Sequence, residues 1–272
     1  EFAGRDGFVR LALAAGVPAD RLVLHGNNKS VDELRRAMVE GVARIVVDSS
    51  DELDRIESLV AEGLPAPRVL IRVTPGVEAH THEFVRTGQD DSKFGFGLAS
   101  GMAEDAVQRA LASPSVELVG LHAHIGSQVF EARFFELAIE VIAPFVQRHG
   151  LPELSLGGGL GVAYVEGEEA PSITQWGKAV RQACAAAGIT ATVTAEPGRA
   201  LVAQAGLTLY TVGTIKDLPG IRTYVSVDGG MSDNPRPVLY GSGYEAFLPR
   251  EVGADRTRRV TVVGKHCESG DL

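Results

Sequence analysis

Six short runs in this 272-residue chain hold residue types that bind anions, stack on flat rings or move protons. Leu156-Gly157-Gly158-Gly159-Leu160-Gly161 follows an apolar run, and without side chains its backbone N–H groups can close around a phosphate. A plain tight turn explains the same glycines. Glu196-Pro197-Gly198-Arg199 puts a carboxylate and a guanidinium at the end of another apolar run. Glu196 can pair with a ring nitrogen while Arg199 holds an anionic group, or the two can form a local ion pair. His122 and His124 flank Ala123 ahead of Ile125-Gly126-Ser127, and the reading places them on opposite sides of a strand. On that reading His124, nearer the strand end, is the functional candidate and His122 is structural. His80-Thr81-His82-Glu83 lacks a third ligand at suitable spacing, so it reads as a solvated loop and no metal is expected. Cys184 lies in an alanine-rich helical run and reads as core, whereas Cys267 sits in the polar turn Cys267-Glu268-Ser269-Gly270-Asp271.

The elements that must position these groups alternate between strand and helix. Strands are expected at Arg21–His25, Arg44–Asp48, Arg68–Thr74, Glu117–His124, Glu153–Leu156 and Ala191–Glu196. Ser30-x-x-Glu33, Ser49-x-x-Glu52 and Ser172-x-x-Gln175 read as capping boxes that open helices. Leu53, Ile56 and Val60 form one apolar stripe, and Phe135, Ile139, Ile142 and Val146 form another on a helix over Ala132–His149 that Pro144 could kink. Each polar run follows the C-terminal end of a strand. Several strands thereby feed one face, as at the mouth of a (β/α)8 barrel, and six of eight units are visible. A doubly wound open sheet is the runner-up. The fold class is thus α/β, a partial barrel over residues 1–205. The β-branched runs Leu207–Val212, Thr223–Val227 and Val260–Val263 begin a β-rich domain over 206–272.

Composition narrows the partners. A formal charge of −9 argues against nucleic acid or an anionic membrane surface, and no apolar run is long enough to span a bilayer. Two cysteines are too few for a disulfide framework and suggest a reducing, cytoplasmic compartment. The chain opens without methionine and ends directly after a polar motif, so it is expected to be a trimmed piece.

Taken in order, His25-Gly26-Asn27-Asn28-Lys29-Ser30, His124-Ile125-Gly126-Ser127-Gln128, the triple glycine, Glu196-Pro197-Gly198-Arg199, Asp228-Gly229-Gly230-Met231-Ser232-Asp233-Asn234 and the Cys267 turn resemble the diaminopimelate decarboxylases. These are alanine-racemase-like, barrel-type pyridoxal-phosphate enzymes. The resemblance runs from about Leu22 to Asp271. It implies that His124 stacks on the pyridine ring, that Ser127, Gly157, Gly158, Gly159, Pro197, Gly198 and Arg199 hold phosphate and ring, and that Glu196 keeps the ring nitrogen protonated. It further implies a homodimer in which Cys267 enters the partner's site as proton donor. Arg236, Tyr240, Glu268 and Arg199 would contact the substrate, meso-diaminopimelate, on its way to L-lysine. Arg236 suits a distal carboxylate and Glu268 the distal ammonium. Arg72 is expected to support the site from behind.

The chain departs from that pattern in one respect. The family's Schiff-base lysine precedes the His-Gly-Asn-Asn run, yet the first lysine here is Lys29, within that run. Lys29 is no substitute by position, and Lys93 belongs to a different loop. The family's late tyrosine, after the Cys-Glu motif, is absent as well. The chain as given is therefore expected to be inactive by itself, with two alternatives: another basic amino-acid decarboxylase, or a lysine-less regulatory relative acting by protein binding.

Overall fold

The computed structural model describes residues 6–77 and 92–271, so His80, Thr81, His82 and Glu83 lie outside the described residues. The chain divides into two compact units, Glu1–Val162 with Ala170–Leu201, and Ala163–Glu169 with Val202–Leu272.

In the first unit all six expected strands form: β1 (Val23–Leu24), β2 (Arg44–Val47), β3 (Arg68–Thr74), β5 (Glu117–Ala123), β6 (Glu153–Ser155) and β7 (Thr192–Thr194). They pair in parallel in the order β1-β2-β3-β5-β6-β7, with a short strand β4 (Phe96–Gly97) beside β3. Side chains alternate across each strand, so the sheet has two unlike faces. Ile45, Val47, Val69, Ile71, Leu121 and Leu154 join the main hydrophobic core. Val46, Leu70 and Val119 form a separate small cluster on the other face. Ion pairs cross that second face at the N-terminal strand ends. Arg44 on β2 pairs with Glu153 on β6 although two strands lie between them, and Arg68 on β3 reaches Glu117 and Glu153. Such reach requires the sheet to curl around that face. The result is an α/β partial TIM barrel, as the polar strand ends predict.

The helices are α1 (Asp6–Ala14), α2 (Val31–Glu40), α3 (Ser50–Ala61), α4 (Met102–Ala112), α5 (Ala132–His149), α6 (Ile173–Ala186) and α7 (Gly198–Val202). Capping boxes open α2 at Ser30–Glu33 and α6 at Ser172–Gln175. The expected box at Ser49 does not form, because Glu52 bonds Asp48 N and the buried Lys29 instead. On α3 Leu59, not Val60, completes the buried stripe with Leu53 and Ile56. Phe135, Ile139, Ile142 and Val146 are buried as expected, and α5 runs unbroken through Pro144. Its Phe135 ring meets Trp176 of α6 edge-on at 5.4 Å.

The second unit holds a three-stranded sheet, β10-β9-β8, and the short helix α8 (Arg236–Tyr240). β8 (Val212–Leu218) and β9 (Arg222–Val227) form an antiparallel hairpin, and β10 (Thr261–Val263) runs parallel to β9. The expected strand Leu207–Val212 shifts forward. Pairing starts where Thr211 and Asp228 exchange bonds, and Leu207–Thr211 stays irregular with Leu207 and Leu209 exposed. Apolar alternation marks a strand only where a neighbour accepts its backbone bonds.

Candidate active site

The concave face ends in a layer of polar groups, one or more from each strand of the main path. β1 delivers His25, β2 Asp48, β3 Arg72, β5 His122, β6 Ser155 and β7 Glu196. Glu196 is the meeting point. Its Oε2 lies 3.4 Å from His25 Nε2 and 3.4 Å from His122 Nε2, and Ser155 Oγ donates to its Oε1 at 2.9 Å. The His25 and His122 rings stack edge-on at 4.8 Å although β2 and β3 separate their strands, a second sign of the curl. Burial pushes His122 down to about 4, against the opposing pull of Glu196. His122 is therefore neutral at neutral pH. Burial works to raise the Glu196 carboxyl, but hydrogen bonds and charge from His122 and His25 outweigh it and hold the group well below the usual carboxylate range. The outcome is an ionised carboxylate held by ring N–H groups at the sheet's C-terminal end.

His122 and His124 do not face opposite sides. Residues two apart on a strand share a face, and both rings serve this end of the sheet. His124, just past β5, accepts a bond from Gly158 N–H at its Nδ1 over 3.2 Å. That nitrogen consequently carries no proton, and in the neutral ring the hydrogen sits on Nε2. The glycine loop packs against the same turn. Gly157 (φ +63°) and Gly159 (φ +107°) occupy backbone conformations that favour glycine, and a Cβ would collide with the carbonyl oxygens of Ala123 and Gly126 respectively. Gln128, at φ 58°, locks the two loops together. Its amide donates to Val162 O and accepts from Val162 N, both at 3.0 Å. Ser127 is half-buried in this turn, and Pro197, Gly198 and Arg199 are half-buried after β7.

Behind this layer lies a chain of buried charges. Lys29 Nζ donates to Gly26 O at 2.6 Å and Val46 O at 2.7 Å, and forms an ion pair with Glu52 Oε1 at 2.6 Å. Burial lowers the Lys29 pKa and raises that of Glu52, each opposed by the attraction between them. Arg72 Nη1 meets Asp48 Oδ2 at 3.1 Å, and Asp48 Oδ1 accepts from Gly95 N at 2.5 Å. The Arg72 guanidinium covers the Phe94 ring at 4.3 Å. Arg72, through Asp48 and the Phe94 ring, ties this end of β3 to the Phe94–Gly95 loop. The structure adds His25, Asp48, Gln128 and Ser155 to the site. The signal available for three of them was their place at strand ends in the same register as the motifs.

The second unit carries the remaining candidates. Arg236 opens α8 with its guanidinium 4.9 Å from the Tyr240 ring and Nη2 3.3 Å from Ser242 Oγ. Its Nε is buried without a hydrogen-bond partner. Cys267 and Glu268 are exposed on their turn, and neither Cys267 nor the buried Cys184 is in a disulfide.

One group among the described residues offers metal-ligand geometry. His25, His122 and Glu196 bring three ligand atoms within 4.8 Å of one another. A ligating imidazole donates its other N–H to an acceptor, yet His122 Nδ1 is buried with no partner, so the set is a poor metal site. It suits a flat, charged organic ring better: a carboxylate for a ring nitrogen, an imidazole beside it, and a side-chain-free loop for an anion.

A model of the pyridoxal-dependent decarboxylases, covering their pyridoxal binding domain, matches residues 6–203. The chain belongs to this family. It is 44% identical to diaminopimelate decarboxylase of Bacillus subtilis over 98% of this chain and 63% of the relative. It is 47% identical to the enzyme of that name from Corynebacterium efficiens, over 96% of this chain and 60% of the relative. The chain thus spans somewhat under two thirds of the length of these relatives. Among solved structures, diaminopimelate decarboxylase from Helicobacter pylori, complexed with L-lysine, superposes with a TM-score of 0.87. It is 31% identical, over 99% of this chain and 67% of that one.

Proposed function

We propose that the complete gene product decarboxylates meso-2,6-diaminopimelate to L-lysine and carbon dioxide with pyridoxal 5′-phosphate. The observation that carries this reading is the Glu196 carboxylate held by His122 and Ser155 at the sheet's C-terminal end, beside a glycine loop that docks on His124. Bound there, the cofactor supplies an electron sink for the pair left when carbon dioxide departs. Glu196 holds a proton on the ring nitrogen, and His25, His122 and Ser155 keep that carboxylate in place. His124 covers the ring face. Gly157–Gly159, Ser127 and the Pro197–Arg199 segment hold the phosphate. Arg236 and Tyr240 bind the distal carboxylate, Glu268 the distal ammonium, and Arg199 a further substrate oxygen. Cys267, entering from the second subunit of a homodimer, gives a proton to the substrate carbon that loses carbon dioxide. On this reading the activity is cytoplasmic and biosynthetic, without a nucleic-acid or membrane partner, in keeping with the formal charge of −9.

Lys29 has no part as covalent anchor in this reading, because it is buried, donates to Gly26 O and Val46 O, and is paired with Glu52. Pyridoxal phosphate titrated into the complete gene product, followed by borohydride reduction and peptide mapping, tests the assignment. The expected result is a saturable cofactor that leaves Lys29 unlabelled, and Glu196→Gln is expected to lower turnover by roughly 100-fold while the cofactor still binds. Label on Lys29, or full turnover by Glu196→Gln, contradicts it.

A further inference from the structure

Asp271 is the one charged residue buried in the second unit among the described residues, at 4% exposure, where Cys267 and Glu268 lie open to solvent. A buried carboxylate is costly unless hydrogen bonds compensate it, and here backbone amides do so from two separate loops. Met231 N–H donates to Oδ1 at 2.6 Å and His266 N–H to Oδ2 at 2.9 Å. The carboxylate fills the space that a side chain at Gly230 or Gly264 would need, which explains glycine at both positions. The Asp271 backbone completes the knot: its N–H donates to Glu268 O at 3.1 Å, and its carbonyl accepts from Gly264 N at 2.8 Å. Two further links join the same loops, Lys265 N to Gly229 O at 2.9 Å and Ser232 Oγ to His266 Nε2 at 2.8 Å.

We infer that Asp271 is a positioning residue: its carboxylate fixes the Cys267–Glu268 turn to the Gly229–Asn234 loop that leads into Arg236. The inference rests on the reading of Cys267 as proton donor and Glu268 as substrate contact. Its mechanism is geometric. One carboxylate holds the two amides, so the segment bearing the thiol and the segment leading to the guanidinium keep one spacing. Asparagine keeps the size but turns a donor NH₂ towards one of the two amides and breaks that clamp.

The test is a double-mutant cycle in the complete gene product, with kcat, KM and cofactor absorbance as readouts. Asp271→Asn is expected to lower kcat about tenfold with cofactor absorbance unchanged, and to change kcat by less than twofold in a Cys267→Ala background. A fall of equal size in both backgrounds, or none in either, overturns the inference. Full kcat in Cys267→Ala alone would instead overturn the role given to Cys267. Amide exchange in the unsubstituted protein covers a variant that does not fold. Met231 and His266 N–H are expected to exchange at least tenfold more slowly than the neighbouring Ser232 and Cys267 amides, and equal rates overturn the inference as well.

Discussion

His122 Nε2 stands 3.4 Å from Glu196 Oε2, so a neutral buried imidazole serves as a hydrogen-bond partner to an ionised carboxylate at the C-terminal end of the sheet. Burial holds the ring proton affinity down to about 4 from an ordinary 6.5. The unfolded chain therefore binds a proton at this residue that the folded one refuses. The stabilisation is complete above pH 6.5 and drains away as pH falls towards 4. Its size is about 3 kcal/mol, since each tenfold change in proton affinity is worth about 1.4 kcal/mol. The Glu196 carboxyl, also depressed, adds a loss that begins only below its usual value of 4.5. Urea unfolding from pH 7 to 4 is expected to show the fall beginning near 6.5, and His122→Gln should flatten it. A flat wild-type profile down to 4.5 would contradict the assignment.

Lys29 and Glu52 form an almost wholly buried pair at 2.6 Å. Removing one partner strands the other's charge, which costs about 3–5 kcal/mol. Lys29→Met is therefore expected to lower the urea midpoint sharply, and Lys29→Met with Glu52→Leu to regain most of the loss. Equal instability of the single and double variants would show that the lysine acts through packing instead of charge.

Gly159→Ala is expected to abolish the contact between the glycine loop and the His124 turn, because the new methyl meets Gly126 O at an unfavourable φ. Cofactor affinity should fall at least tenfold, corresponding to about 1.4 kcal/mol. Gly7→Ala on the exposed face of α1, where nothing lies nearby, should leave it unchanged. Equal affinity in Gly159→Ala would remove this loop from the anion site.

The barrel strands and their polar ends were legible because a buried parallel strand needs an apolar run, and its C-terminal turn is marked by Gly, His or Glu. Two other features were not. Glu52 looks like a capping residue until the fold brings Lys29 beside it, and no local pattern announces that long-range pair. His122 reads as structural, and its meeting with His25, on a strand three places along the sheet, over one carboxylate is a long-range arrangement that one line of sequence does not show. The β8 register was misplaced for a related reason: Leu207 and Leu209 alternate like strand residues but find no ladder to join.

Substrate choice depends on whether Arg236 meets a distal carboxylate. Steady-state turnover of meso-diaminopimelate, ornithine and arginine by the complete gene product, with and without Arg236→Ala, reads the distal-carboxylate contact. Diaminopimelate is expected to be the preferred substrate, and Arg236→Ala to reduce its kcat/KM by about 10–150-fold, the loss of a charged hydrogen bond worth 1.5–3 kcal/mol, with cofactor absorbance intact. Preference for ornithine or arginine, or an Arg236→Ala variant that still favours diaminopimelate to the same degree, would contradict it.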